Sequence, residues 1–177
     1  MKNIFISFLS IVLAAVLVLG LNLGLSGVRE ENAQKELLSK MQTLLPGSEN
    51  FQIEPYFGED TNIRTVYKGE TGFVIHTVTA GYAGDIAMLI GVSKAGTVTG
   101  VTVRELSETL GLGAAALTDW EFLAQFLNTD GSAAVGTNVD ALTGATVTSK
   151  AITRCVNSAV AFVTGADTGS GATSWGG

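Results

Sequence analysis

The sequence has a single histidine and a single cysteine among its 177 residues, His76 and Cys155. A zinc site assembled from His and Cys ligands needs several of them, and a cysteine-held iron–sulfur cluster needs four cysteines. We therefore expect no metal site of these kinds, and nothing in the spacing supports a Cys-His nucleophile pair. Any difficult chemistry would require a cofactor taken from outside the chain.

Positive charge is also scarce. Lys and Arg total 10 against 16 Asp and Glu, which gives a formal charge of −6. A protein that binds nucleic acid through its phosphates is usually basic, so nucleic acid is not an expected partner. The length allows one modest domain plus a membrane anchor, and a second full domain would not fit.

Charge is absent from Ile4 to Leu25, after a short tail of residues 1–3. As a helix, these 22 residues would extend about 33 Å, enough to cross a bilayer. The alternative is a cleaved signal peptide, although the apolar run is longer than usual and lacks a clear cleavage site. Lys2 lies on one side and Arg29 and Lys35 on the other, so the charges do not decide the orientation.

A polar segment, residues 26–50, follows the predicted transmembrane helix. Its stretch from Val28 to Leu45 consists of good helix formers and stops at Pro46-Gly47. The sequence therefore predicts a stalk helix that links the anchor to the folded domain.

Five segments rich in Val, Ile, Thr and aromatic residues come next, separated by glycine-bearing turns. They are FQIEPYF (51–57), IRTVYKG (63–69), FVIHTVTA (73–80), IAMLIGVS (86–93) and TVTGVTVREL (97–106). Consecutive strands joined by short turns predict an antiparallel sheet.

Helical patterns appear only after the strands. Thr118 and Glu121 are spaced as a capping box ahead of WEFLAQFL. A second helix is predicted from Thr148, with one apolar face and one polar face. The apolar face comprises Ile152, Cys155, Val156, Ala159, Val160 and Val163, and the polar face Lys150, Arg154, Asn157 and Ser158. Strands followed by helices predict an α+β domain over residues 51–164, and the Gly/Ser-rich residues 165–177 are expected to form a flexible tail.

The run Thr143-Gly144-Ala145-Thr146 stands just before the second predicted helix. Unpaired N–H groups at a helix N-terminus attract anions, and small side chains let a phosphate come close. The alternative interpretation is structural: Thr148 or Ser149 caps the helix and the small residues form a turn. The four residues from Thr143 to Thr146 alone leave both possibilities open.

Other candidate features are weaker. Gly111 to Ala116 fits a dinucleotide-binding fingerprint, but no parallel strand follows to complete the βαβ unit. His76 alternates with Val74 and Val78 and is expected in or beside the packing of the sheet, while Cys155 is expected in the core. Tyr82 in the turn after Gly81 could stack on a flat ring, or could simply be the aromatic residue of a turn.

Three segments in fixed order strengthen the functional interpretation: GYAGDIAMLIGV (81–92), ETLGLG (108–113) and DALTGATVTSKA (140–151). Together they resemble the covalent-flavin domain of the G subunit in Rnf-type ion-translocating electron-transport complexes, and of the related C subunit in sodium-pumping NADH:quinone reductase. The resemblance extends over residues 71–163, and in kind over the anchor and the stalk. It implies that residues 51–164 form an FMN-binding domain.

The resemblance implies roles for individual residues. FMN would be joined through its phosphate to Thr146 by a flavin transferase that uses FAD and recognises Asp140. Thr143, Gly144 and Ala145 would line the approach of the phosphate, and helix N–H groups near Thr148 and Ser149 would meet its charge. The contacts expected near the flavin ring are Gly81, Tyr82, Glu108, Thr109, Leu110, Gly111 and Leu112. Leu110 stands where the family usually has proline, which leaves the details of ring contact open.

The resemblance further implies an electron-carrying subunit that is not catalytic alone. Its partners would be the other subunits of a membrane ferredoxin:NAD oxidoreductase, with the flavin domain outside the cytoplasmic membrane. Two alternatives stay open: an FMN carrier of another electron-transfer chain, and a non-redox ligand-binding module. The tail repeats the motif as DTGSGATS, so Thr173 is a second possible acceptor.

Overall fold

The computed structural model describes residues 29–82, 84–106 and 119–166. The predicted transmembrane helix, Glu108 to Leu112 and Thr173 lie outside these residues. Within the described ranges, no helix combines the length and the apolar composition that a membrane crossing requires.

The centre of the fold is a five-stranded antiparallel sheet in which neighbours in sequence are neighbours in space. The strands are β1 (Gln52–Glu54), β2 (Ile63–Lys68), β3 (Gly72–Ala80), β4 (Asp85–Ser93) and β5 (Val98–Leu106). All four strand pairings are antiparallel, and β3 pairs with β4 along its whole length. The predicted antiparallel sheet is confirmed. The dinucleotide fold needs parallel strands, so the antiparallel sheet of the described residues speaks against that interpretation.

Residues 29–44 form a helix, α1, in agreement with the predicted stalk helix over its described part. The chain divides after Ser39 into two compact units, and the second unit, which begins at Lys40, contains the sheet. The end of α1 contributes the buried side chains of Met41 and Leu44, and Leu45 follows just beyond it. The core of the sheet-bearing unit therefore begins before residue 51.

A short helix, α2 (Trp120–Ala124), follows the sheet. The Asp119 side chain accepts hydrogen bonds from the N–H groups of Glu121 and Phe122 and caps the helix. The predicted capping box with Thr118 as the cap is therefore wrong. Thr118 and Asp119 are adjacent and either residue type can cap a helix, and the observed helix uses Asp119.

The long helix α3 (Thr146–Thr164) packs on the sheet. Its predicted apolar face is confirmed, because its members are buried apart from the half-buried Val163. Ser158 was expected on the polar face but is buried, with its hydroxyl 3.4 Å from Asn62 Nδ2. The loop before β2 supplies this partner, which helix periodicity alone does not reveal. Phe122 and Phe126 complete the core under α3, with their rings packed edge to face.

Candidate functional site

The direction of α3 across the sheet determines which segments lie near Thr146. The ring of Phe162 lies 5.6 Å from that of Phe73 at the start of β3, and Cys155 lies near Thr77 further along that strand. Helix and strand therefore run in opposite directions. From Cys155 back to Thr146 the helix rises about 14 Å. The strand advances about the same distance from Thr77 to Gly81.

This geometry brings the start of α3 to the sheet end that carries the β3–β4 turn. Gly81 N–H donates to the carbonyl of Gly84 across that turn, and Tyr82 at its tip is 81% exposed. At the same end β5 leaves the sheet at Leu106, whose partner in β4 is Ile86. The predicted ring-contact loop, Glu108 to Leu112, follows directly in sequence and lies outside the described residues. Two of the three family segments thus lie towards the same end of the sheet.

The start of α3 is uncapped. Its N-cap residue is Ala145, which has no side chain that could accept a hydrogen bond, and the first helical hydrogen bond runs 2.8 Å from Ser149 N–H to the Ala145 carbonyl. Among the described residues, no acceptor meets the backbone N–H groups of Thr146, Val147 or Thr148. Three such donors at the positive end of a 19-residue helix are the kind of arrangement that can bind an anion.

The helix begins two residues earlier than the predicted start at Thr148. The predicted cap at Thr148 or Ser149 is therefore wrong, because both residues lie inside the helix. The other part of the structural alternative is observed, since the small residues form a turn closed by the hydrogen bond from Ala145 N–H to the Leu142 carbonyl. The N–H groups expected to face an anion change too. Ser149 N–H already donates to the Ala145 carbonyl, whereas Val147 N–H has no acceptor among the described residues. Val147 was not predicted as an N–H donor because its place in the first turn depends on where the helix starts.

Side chains around the turn differ sharply in accessibility. Thr143 and Thr146 are exposed, as is Gly144, whose φ of 78° is a left-handed conformation that glycine adopts without strain. Ala145 is 6% exposed, Thr148 is 1% exposed and Ser149 is fully buried. The Thr146 hydroxyl thus stands in solvent beside the open N–H groups.

Asp140 is exposed six residues before Thr146. Its backbone is held by Gln125, since Asp140 N–H donates to Gln125 Oε1 at 2.8 Å and Gln125 Nε2 donates to the Asp140 carbonyl at 3.4 Å. The Gln125 contacts involve only the backbone of Asp140, so they leave its carboxylate uninvolved. Gln125 was not identified from the sequence, because nothing local marks a contact across 15 residues.

The remaining candidates from the sequence lie elsewhere. His76 is half-buried in β3 beside its β4 partner Leu89. A groove of about 820 Å³ flanks the far half of α3 near Arg154 and contains none of the predicted site residues. The described residues form no His, Cys and carboxylate grouping that could hold a metal ion.

Cys155 is fully buried, which confirms its predicted place in the core. Burial raises the pKa of its thiol to about 11. At pH 8 about one thiol in a thousand would then be the reactive thiolate. We expect a colorimetric thiol reagent to leave the native protein almost unlabelled over an hour at pH 8 and to label it fully in denaturant. Rapid labelling of the native protein would contradict the buried position.

Comparison with known proteins identifies the family of this chain. Residues 81–161, from the β3–β4 turn to near the end of α3, match the FMN-binding domain family. The chain is 35% identical over 151 residues to the G subunit of the ion-translocating oxidoreductase complex of Methanosarcina acetivorans, covering 78% of this chain and 77% of that protein. The chain belongs to the G-subunit family of Rnf-type complexes. The resemblance inferred from the sequence is confirmed.

Two further G-subunit relatives share a shorter region. The G subunit of the Na⁺-translocating ferredoxin:NAD⁺ oxidoreductase complex of Acetobacterium woodii is 35% identical over 116 residues, 61% of this chain and 54% of that protein. Its counterpart in the proton-translocating complex of Clostridium ljungdahlii is 37% identical over 99 residues, 52% of this chain and 53% of that protein. This chain thus spans about half the length of these two relatives.

Proposed function

We propose that this member of the G-subunit family carries FMN on Thr146 and relays electrons within a membrane complex. The observation that carries the proposal is the start of α3, where an exposed threonine hydroxyl adjoins three open N–H groups at an uncapped helix end. A phosphate esterified to Thr146 keeps negative charge on its remaining oxygens, and helix N–H groups stabilise that charge. The residues present therefore fit the phosphate end of FMN. Gly144 leaves space beside it.

Attachment requires FAD as the flavin donor and a flavin transferase. The Thr146 oxygen attacks the phosphorus on the FMN side of the diphosphate, and the bond from that phosphorus to the bridging oxygen breaks. AMP leaves with the bridging oxygen, and the hydroxyl proton passes to a base or to solvent. Asp140 is the recognition residue in this proposal. It is exposed, on a backbone held by Gln125, and so is accessible to a second protein.

FMN, when bound, would supply electron transfer in steps of one or two electrons. The chain would position the flavin. Tyr82 lies at the same end of the sheet as Thr146 and is exposed enough to contact a ring, and Glu108 to Leu112 are proposed as further contacts. The protein would act as a carrier between other subunits rather than as an enzyme alone.

The setting proposed for this carrier is a ferredoxin:NAD oxidoreductase that moves Na⁺ or H⁺. We propose residues 4–25 as the transmembrane anchor, residues 26–50 as the stalk and residues 51–164 as the flavin domain on the extracytoplasmic side. An uncharged apolar segment offers no path for an ion, so ion movement would belong to partner subunits with several spans. The names of the relatives include both sodium and proton translocation, and both ions are compatible with this chain.

The direct test is co-expression of the full chain with a flavin transferase, followed by a denaturing gel viewed for flavin fluorescence. A fluorescent band and an intact mass increased by one FMN are expected. A dark band would end the covalent proposal, and release of flavin into the filtrate on denaturation would favour non-covalent binding. A mass increase of two FMN would show a second acceptor, and its loss in Thr173→Val would assign that acceptor to Thr173.

A further inference from the structure

The Ser149 side chain is the most connected polar group beside the acceptor threonine. Its hydroxyl accepts a hydrogen bond from Leu142 N–H at 3.1 Å and donates one to the Ala145 carbonyl at 2.9 Å. Ser149 N–H donates to the same carbonyl at 2.8 Å. One buried residue inside α3 is therefore bonded to both ends of the turn that precedes Thr146.

Apart from the packing of Leu142 and the buried Ala145 on the hydrophobic core, the turn has few contacts to hold it. Its own backbone supplies one hydrogen bond, from Ala145 N–H to the Leu142 carbonyl at 2.9 Å, and its middle includes Gly144 at φ 78°. Glycine has the largest backbone freedom of any residue, so a turn that contains it samples many shapes unless other contacts select one. The Ser149 hydroxyl is the side-chain contact that spans this turn.

We propose that Ser149 is a positioning residue for flavin transfer: its hydroxyl holds the Leu142–Ala145 turn in the shape that presents Thr146 to the transferase. The inference rests on the proposed function of Thr146. Ser149 cannot contact the flavin donor itself, because its side chain is fully buried. It acts through the turn, before the two proteins meet.

This role predicts a particular kinetic result for Ser149→Ala. If only a fraction of molecules has the competent turn, the apparent affinity of the transferase for its protein substrate falls by that fraction, whereas the chemical step in the competent molecules is unchanged. We expect KM for the protein substrate to rise about tenfold with kcat changed less than about twofold. Hydrogen exchange at the Leu142 amide should accelerate in the same variant.

A matched control is available one turn further along the helix. Thr153 donates its buried hydroxyl to the Ser149 carbonyl at 2.9 Å, so Thr153→Ala also removes a buried helix hydrogen bond but leaves the turn untouched. It should keep KM within about twofold of wild type. Ser149→Thr keeps the hydroxyl and should restore most of the wild-type KM, because threonine readily bonds a carbonyl four residues earlier in a helix.

The experiment measures initial rates of fluorescent-band formation with purified transferase and FAD, at a temperature where melting curves show all variants folded. Equal KM values for Ser149→Ala and Thr153→Ala would overturn the positioning role. An unlabelled wild type would instead reject the proposed function. If Ser149→Ala does not fold, Ser149→Cys, which has similar volume and weaker hydrogen bonding, takes its place in the same comparison.

Discussion

Thr146→Val is expected to abolish covalent flavin while the protein stays folded. Valine has nearly the same shape as threonine but no hydroxyl, so no ester to the phosphate can form. Thr146 is exposed at the first position of α3, where its side chain packs against little, so the free energy of unfolding should change by less than about 0.5 kcal/mol. In-gel fluorescence and intact mass after co-expression with a transferase measure the loss.

Thr173→Val is the matched control for this variant, because it removes the corresponding hydroxyl from the repeated motif in the tail. It should retain one FMN per chain. Persistent labelling of Thr146→Val that disappears on adding Thr173→Val would move the attachment to the tail. Persistent labelling in the double variant would place it on neither threonine.

The sheet was predictable because its information is local. Each strand shows its β-forming residues within a short segment, and the glycine-bearing turns between them leave an antiparallel arrangement as the simple solution. The apolar face of α3 was equally predictable from the sequence, because helix periodicity places Ile152, Cys155 and Val156 on one side of the helix, where they are buried. Burial of these residues confirms the helical pattern, and the strand pairings confirm the sheet.

Helix starts were less predictable because several neighbouring residues could each serve as the cap. Ser and Thr are favoured caps, so the sequence predicted that α3 starts at Thr148. The Ser149 hydroxyl instead bonds backward from inside the helix to Ala145. The helix starts at Thr146, and the N-cap residue Ala145 has no side chain that could accept a hydrogen bond. A helix end that lacks the preferred residue agrees with a site whose N–H groups serve a ligand.

Contacts between distant residues could not be inferred from single segments. Gln125 holds Asp140, and Asn62 reaches Ser158, through hydrogen bonds across 15 and 96 positions. The proposed site depends on such contacts, since Gln125 holds the backbone of Asp140 and only the fold places Tyr82 at the end of the sheet towards which α3 begins. The family resemblance identified Asp140 and Tyr82 from the sequence. The fold places the two segments that contain them towards the same end of the sheet.

The largest expected loss of stability comes from Gly91→Ala. Gly91 in β4 pairs with Gly100 in β5, and together they form a slot for the end of α1. A Cβ at Gly91 would overlap the carbonyl oxygen of Leu44, a backbone atom that already accepts a hydrogen bond from the Thr99 hydroxyl. Either the helix end moves away or the strands shift. We expect a cost of about 3 kcal/mol in the free energy of unfolding, measured by urea titration.

Gly100→Ala provides a graded comparison on the same face. Its Cβ would first meet the end of the Leu44 side chain at 2.9 Å, with the Leu44 Cα at 3.0 Å and its carbonyl oxygen at 3.1 Å. Part of this overlap is relieved by rotating a flexible side chain, so the cost should be smaller than at Gly91. Equal stability of Gly91→Ala and wild type would mean that Leu44 is not seated on these strands. Since Gly91 lies near the opposite end of β4 from the turn beside Thr146, flavin attachment to the folded fraction should continue in both variants.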